Sequence, residues 1–199
     1  MKRIAQLFFI VILFSAARLV SQPKDNLNIY YKLIDKSVDK IDSAVVASKE
    51  NLFVKLSMPQ PLDQLKSEVV HAFRKKGYVV KEENDSSTFI NYILIDANVS
   101  YRKPYKDGLF GNVMADRVIK LNGSYFFAAN SVVDEPVYFT FTFADTVAVD
   151  DIPALEIKSL PFTQGEIPEP PLLSNLLEPA IVIGALVTTI ILFFTVRSK

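Results

Sequence analysis

Residues 88–101, with the sequence TFINYILIDANVSY, carry apolar side chains on both sides of an extended chain. In a regular strand, successive side chains point to opposite faces. One face then carries Ile90, Tyr92 and Leu94, and the other carries Ile93, Ile95, Ala97 and Val99. A strand that is apolar on both faces is typical of a sheet with a layer packed on each side. We therefore expect a central strand that is covered above and below.

More strands are predicted on the carboxyl-terminal side of this segment. Residues 115–130, ADRVIKLNGSYFFAAN, favour either a pair of strands or one long bent strand, with Asn122-Gly123 as a turn or bulge. Residues 136–147, PVYFTFTFADTV, show the most regular alternation. Their core face is predicted to carry Val137, Phe139, Phe141 and Phe143.

Two helices and two short strands are predicted on the amino-terminal side. Apolar residues recur at three- and four-residue steps from Asn28 to about Lys49, and again from Pro61 to Gly77, where the glycine suits a helix stop. The short strands are LFVKLSM, residues 52–58, and GYVVKEE, residues 77–83. This element order predicts a single α/β domain, with two helices packed on a mixed, largely antiparallel sheet.

Both ends of the chain are apolar, and each has its own pattern. Residues 1–21 have the basic start, apolar stretch and small residues of a signal peptide, with cleavage after either Ala17 or Ser21. Residues 179–199 contain an uncharged run from Ala180 to Val196 and a short basic tail, which predicts a transmembrane helix. Between them we expect an exported domain at 22–160 and a proline-rich stalk at 161–178.

The charges at the two ends predict one topology. Lys2 and Arg3 precede the first apolar stretch, and Arg197 and Lys199 follow the last one. Basic residues beside a membrane span favour the cytoplasm. The sequence therefore predicts a single-pass protein of the bacterial inner membrane, with its main domain in the periplasm and its carboxyl terminus in the cytoplasm.

The overall composition argues against several classes of function. Lys plus Arg and Asp plus Glu number 22 each, so the chain lacks the basic excess that nucleic-acid binding usually needs. No cysteine is present, and His71 is the only histidine, expected on the exposed side of its helix. We expect no cofactor, no metal site and no catalytic residues, and hence no enzyme. One alternative is a hydrolase that uses paired carboxylates such as Asp116 and Asp145.

Two groups of residues are candidate binding sites. Tyr105, Leu109 and Phe110 are large apolar residues in a predicted surface loop, residues 103–112, which indicates a contact site for another protein. Arg74, Lys75 and Lys76 form a basic cluster for an anion or a lipid. Basic residues in the last turn of a helix also complement its dipole, so both explanations remain open for this cluster.

The order of helix, LFVKL, helix, GYVV, NYILIDANVSY and further strands resembles the amino-terminal α/β domain of the Tol translocation protein. Related periplasmic modules occur in curli secretion, in flagellar accessory proteins and in activators of penicillin-binding proteins. The resemblance covers about residues 28–147 and implies a non-enzymatic domain that binds or scaffolds other envelope proteins. The chain departs from those modules because it lacks a lipid-anchor cysteine and has an apolar carboxyl-terminal segment. An anion or lipid sensor is a further alternative.

Overall fold

The computed structural model describes residues 23–45, 52–81, 88–108, 111–129, 132–169 and 174–196, with the side chains of 174–178 and 196 excepted. The helices are α1 (Asn26–Ala44), α2 (Lys66–Lys75), α3 (Ile152–Leu155) and α4 (Ser174–Val196). The strands are β1 (Phe53–Ser57), β2 (Val79–Val80), β3 (Thr88–Lys106), β4 (Val113–Ala129), β5 (Val132–Val133) and β6 (Val137–Ala148). Short 3-10 turns occupy Gln60–Leu65, Val149–Asp151 and Pro161–Thr163.

The six strands form one mixed sheet, which confirms the predicted α/β class. Its order is β2-β1-β3-β4-β5, and β6 also pairs with β4. β1 runs parallel to both β2 and β3, and all pairs that involve β4 are antiparallel. β3 and β4 are the longest strands and form a hairpin that extends well beyond the short strands. α3 is additional to the two helices expected in the domain, and α4 lies in the carboxyl-terminal segment where a helix was expected.

Helices α1 and α2 pack on one face of the sheet, which we call the inner face. Asp25 caps α1 by accepting a hydrogen bond from the backbone N–H of Asn28 at 2.8 Å. The rings of Phe73 on α2 and Tyr92 on β3 meet edge to face, with centroids 5.4 Å apart. Gly77 has φ +88°, so the predicted left-handed stop after the second helix is confirmed.

The prediction that β3 is covered on both faces is wrong, because a bulge changes its alternation. Leu94 pairs with Gly123 and Asp96 pairs with Asn122, so Ile95 is an extra residue in β3. Beyond the bulge, the buried side chains Ala97, Val99 and Tyr101 lie on the inner face with the buried Ile90, Tyr92 and Leu94. The opposite face of the sheet, which we call the outer face, therefore has fewer apolar side chains than a regular strand would give it.

Gly123 shows why β4 needs a glycine opposite this bulge. A Cβ atom built on Gly123 would lie 2.3 Å from Cζ of Phe139 and 2.5 Å from the carbonyl oxygen of Ile93. The Phe139 ring on β6 therefore occupies the space that a side chain would need. β4 continues straight through Asn122-Gly123, so this pair lies beside the bulge and makes no turn.

The domain continues past residue 160, which corrects the predicted start of the stalk at 161. Pro161 begins a short 3-10 turn, in which Phe162 and Thr163 are buried. The hydroxyl of Tyr30 donates to the carbonyl of Phe162 at 3.0 Å, and Nδ2 of Asn26 donates to the carbonyl of Thr163 at 2.7 Å. Gln164 and Gly165 still bond to the domain, through the carbonyl of Lys158 and the carboxylate of Glu156. The segment that leaves the domain accordingly begins at 166 and is described as far as 169.

The last helix, α4, begins before the position that the sequence predicted. Pro179, expected as a first helical residue, lies inside the helix. Its described apolar side chains are exposed, among them Val182, Leu186 and Phe194. Within the ranges that the structure describes, no helix is both long enough and apolar enough to count as a membrane span.

Candidate functional site

The outer face of the sheet lies opposite the packed helices and carries exposed side chains. Its side chains on β6 are all exposed: Tyr138, Thr140, Thr142, Ala144 and Thr146. Tyr138 is 70% exposed, an unusual position for a large aromatic side chain in a strand. Of the predicted core side chains of this strand, Phe139 is buried and Phe141 and Phe143 are partly buried, whereas Val137 is 43% exposed. One sheet face therefore forms the core, and the other is free for contacts.

The outer face has an aromatic half and a polar half. The aromatic half lies at the start of β3 and the end of β4, where Phe53, Phe89, Phe126 and Tyr138 are at least partly exposed. The rings of Phe89 and Phe126 meet edge to face, with centroids 6.4 Å apart. Aromatic rings that are held rigidly at a surface are the side chains that most often anchor a protein–protein contact.

The polar half of the outer face is organised by hydrogen bonds between side chains. The carboxylate of Asp96 accepts from Nδ2 of Asn98 at 2.9 Å and from Nδ2 of Asn122 at 3.4 Å. The hydroxyl of Thr140 on β6 donates to Oδ1 of Asn122 at 2.9 Å. These contacts link three strands across the surface. They hold polar groups in fixed positions beside the aromatic half.

The predicted binding loop, residues 103–112, is mostly the far end of the β3–β4 hairpin. Tyr105 lies on β3, pairs with Met114 on β4 and is 46% exposed. Leu109 and Phe110 lie outside the described residues. Lys103 has φ +51° next to a second register shift of β3, so the strand bends where the loop was expected to begin. Of the three predicted contact residues, the structure therefore describes one, and it is exposed.

The predicted basic cluster is divided between two pockets. Arg74 lines one of them, while Lys75 and Lys76 line another that also contains Asp39. Nζ of Lys76 lies 2.6 Å from a carboxylate oxygen of Asp39 on α1, and this contact raises the pKa of Lys76. Arg74 therefore lines a different pocket from Lys75 and Lys76, and Lys76 links α2 to α1.

The proposed pair of catalytic carboxylates is excluded by the sheet register. Asp116 pairs with Thr146, whereas Asp145 pairs with Arg117. Because neighbouring residues of a strand point to opposite faces, the two carboxylates lie on opposite sides of the sheet. They cannot act together on one substrate, so the hydrolase hypothesis loses its proposed residues. His71 is exposed on α2, as expected.

Asp145 instead belongs to a buried network around Arg117, which sequence reasoning missed. The guanidinium of Arg117 is fully buried and donates from Nε and Nη2 to the two carboxylate oxygens of Asp145, at 2.8 and 2.6 Å. Nη1 donates to the carbonyl of Lys24 and to Oδ1 of Asn26, both at 2.8 Å. The network therefore ties the start of α1 to the middle of the sheet.

The same network reaches the segment through which the chain leaves the domain. Nδ2 of Asn26 donates to the hydroxyl of Tyr101 at 2.9 Å and to the carbonyl of Thr163. Burial raises the pKa of Tyr101 to about 12, and burial likewise raises the pKa of Tyr30, whose hydroxyl donates to Phe162. These phenols therefore stay neutral, with the Tyr30 hydroxyl as a donor to Phe162 and the Tyr101 hydroxyl as an acceptor from Asn26. The segments through which the chain enters and leaves the domain therefore lie side by side.

Among the described residues, no group of three or more His, Cys, Asp or Glu side chains is arranged to hold a metal ion. No protein-family model matches the chain, and no curated protein matches it.

Solved structures with partial similarity include the minor lipoprotein from Acinetobacter baumannii, with a TM-score of 0.34 and 15% identity over 49% of this chain and 66% of that one. The rare lipoprotein B from Shewanella oneidensis has a TM-score of 0.33 and 18% identity over 49% and 70%. A putative neuraminyllactose-binding hemagglutinin homolog from Helicobacter pylori has a TM-score of 0.32 and 8% identity over 52% and 69%. None of these three is named as a Tol translocation protein.

Proposed function

We propose that this protein is a non-enzymatic binding or scaffolding module of the bacterial envelope, which contacts another envelope protein through the outer face of its sheet. The observation that carries the proposal is the uncovered outer face, with Tyr138 exposed on the same face as the rings of Phe89 and Phe126. A monomeric domain gains nothing in stability from a large aromatic side chain left in water. A partner that covers this face would remove that apolar surface from water.

The membrane topology is a second part of the proposal. We propose that α4 anchors the protein in the inner membrane as a single span, with the domain in the periplasm and the carboxyl terminus in the cytoplasm. Support comes from the uncharged run of residues 180–196 and from Arg197 and Lys199 just beyond it. The irregular residues 166–169, with Pro168, then act as a spacer between domain and membrane.

Site-directed photo-crosslinking in living cells tests the binding surface. A benzoylphenylalanine residue that replaces Tyr138 is expected to give a discrete adduct with another protein, because the outer face is covered by the partner. The matched control replaces Lys36, which is exposed on α1 on the helix side of the domain, and is expected to give little or no adduct. A third position, Tyr105, tests the end of the hairpin separately.

The outcome is read from the mass and identity of the adducts. An adduct at Tyr138 whose mass exceeds that of the chain by the mass of one other envelope protein supports the proposal. Equal crosslinking at Lys36, or no adduct at Tyr138 while Lys36 reacts, would show that the outer face is not the contact surface.

A further inference from the structure

Strand β6 has one side of its backbone without a partner among the described residues, and we call this side the free edge. β6 pairs with β4 from Val137 to Ala148, and no described backbone hydrogen bond joins it to any other segment. In a strand that is paired on one side only, the N–H and C=O groups of every second residue point to the unpaired side. The free edge therefore offers a row of donors and acceptors along a strand of 12 residues.

The free edge lacks the features that usually protect an edge strand from pairing. Edge strands are commonly short, broken by a bulge or a proline, or marked by lysine. The opposite edge of the sheet follows this rule, because the described strand β2 is only Val79–Val80 and Lys81 comes directly after it. β6 instead keeps one register with β4 throughout and contains neither proline nor lysine. Its free edge is therefore suited to receive another strand.

The charges of β6 are compatible with a second copy of the same strand. Its one charged residue, Asp145, lies on the inner face and is bound by Arg117. Its outer-face side chains are neutral: Tyr138, Thr140, Thr142, Ala144 and Thr146. Two copies can thus lie edge to edge without placing like charges directly opposite each other, an arrangement that destabilises a strand pair.

A partner strand must also have a free edge of its own and a similar length. Among the described strands, β6 is the one long strand that meets this condition, because β3 and β4 are paired on both sides. The side chains of Phe141 and Phe143 also remain partly exposed on the inner face of β6. A second β6 beside them would remove this apolar surface from water.

We propose that two copies of this protein pair along their β6 strands in antiparallel orientation, which joins the two sheets into one. A twofold axis perpendicular to the sheet places one residue of β6 opposite itself. The register centred on Thr142 aligns Val137 of one copy with Val147 of the other, so nearly the whole strand is paired. It also aligns Phe141 of each copy with Phe143 of the other. The dimer does not depend on the partner proposed for the outer face.

Disulfide crosslinking of the full chain in a neutral detergent tests this register, because the chain contains no cysteine and each variant then carries one thiol. In Thr142→Cys the two Cβ atoms face each other ~5 Å apart, which is close to disulfide distance. In Tyr138→Cys the thiols are ~27 Å apart along the strands, because Tyr138 lies opposite Thr146. We expect mild oxidation to give at least about tenfold more dimer with Thr142→Cys than with Tyr138→Cys.

Ser100→Cys is the matched control on the same face. Ser100 lies on the outer face of β3 and is separated from β6 by β4. Two copies paired along β6 therefore keep the two Ser100 positions more than ~20 Å apart. We expect the dimer yield of Ser100→Cys to be as low as that of Tyr138→Cys.

A charge on the axis tests whether the free edge holds the dimer together. Light scattering that separates the protein mass from the detergent mass is expected to give two chains per particle for the wild type. Thr142→Lys places two ammonium groups opposite each other and is expected to raise the dissociation constant of the dimer by at least about tenfold. Thr142 is exposed, so this substitution leaves the core intact. Ser100→Lys is expected to change the constant less than about twofold.

Preferential crosslinking at Thr142, together with dissociation by Thr142→Lys, supports the proposal. Equal yields from Thr142→Cys and Ser100→Cys would show random collision and overturn it. One chain per particle in the wild type would also overturn it. A dimer that Thr142→Lys leaves unchanged would place the contact elsewhere, for example in α4, and would equally exclude the paired edges.

Discussion

Replacing Phe162 with alanine is expected to lower the free energy of unfolding by about 3 to 5 kcal/mol. The side chain is buried and meets the ring of Tyr30 edge to face, with centroids 5.5 Å apart. Its removal leaves a cavity between α1 and the 3-10 turn at Pro161–Thr163. Urea denaturation of the full chain in a neutral detergent, followed by the near-ultraviolet circular dichroism of the tyrosines, measures the change.

Ile167→Ala is the matched control, because it lies five residues further along the same segment and is 48% exposed. We expect its effect to stay within about 0.5 kcal/mol. A small effect of both substitutions would place Phe162 in the spacer and restore the domain boundary at 160. A large effect of Phe162→Ala alone shows that the domain includes the turn at Pro161–Thr163.

Asp145→Ala is expected to lower the free energy of unfolding by about 3 kcal/mol, because it leaves the buried guanidinium of Arg117 without its carboxylate. Breaking a buried ion pair usually costs about 3 to 5 kcal/mol. We take the lower end because Asp145 itself remains 29% exposed, so water can partly replace it. The same denaturation experiment measures this effect.

Asp116→Ala is the control for this second substitution. Asp116 precedes Arg117 in β4 but points to the outer face, where its described contact is a 3.4 Å hydrogen bond from Thr146. We expect a change within about 0.5 kcal/mol. Equal destabilisation by the two substitutions would mean that the network around Arg117 contributes no more than a surface carboxylate does.

The sequence predicted most elements because their signals are local. Three such signals depend only on residues that are close in the chain. They are the apolar stripe of α1, the helix stop at Gly77 and the alternation of side chains along β6. The prediction that β3 is covered on both faces was wrong because the direction of its side chains depends on a bulge. That bulge lies opposite Gly123 of β4, where the ring of Phe139 on β6 fills the space that a side chain would need. No pattern within residues 88–101 contains this information.

The candidate sites were harder to predict because they combine distant segments. Arg117 resembles any charged residue of a strand, and its burial depends on Asp145, Asn26 and the carbonyl of Lys24. The one available signal for this burial was the position of Arg117 in β4, where every second residue around it is apolar. Likewise, the run Arg74-Lys75-Lys76 looks like one cluster in the sequence. The helix turns its members toward different pockets.

We propose that the folded domain lies outside the cytoplasm and is held there by α4, because an envelope partner is reached only from that side. Paired reporter fusions in a bacterial host test it most directly. Alkaline phosphatase, which is active only after export, is fused after Glu169, and green fluorescent protein, which after export by the general secretory route does not fluoresce, is fused after Lys199. We expect phosphatase activity from the first fusion and fluorescence from the second. An inactive phosphatase after Glu169, together with fluorescence when the fluorescent protein is moved to Glu169, would contradict it.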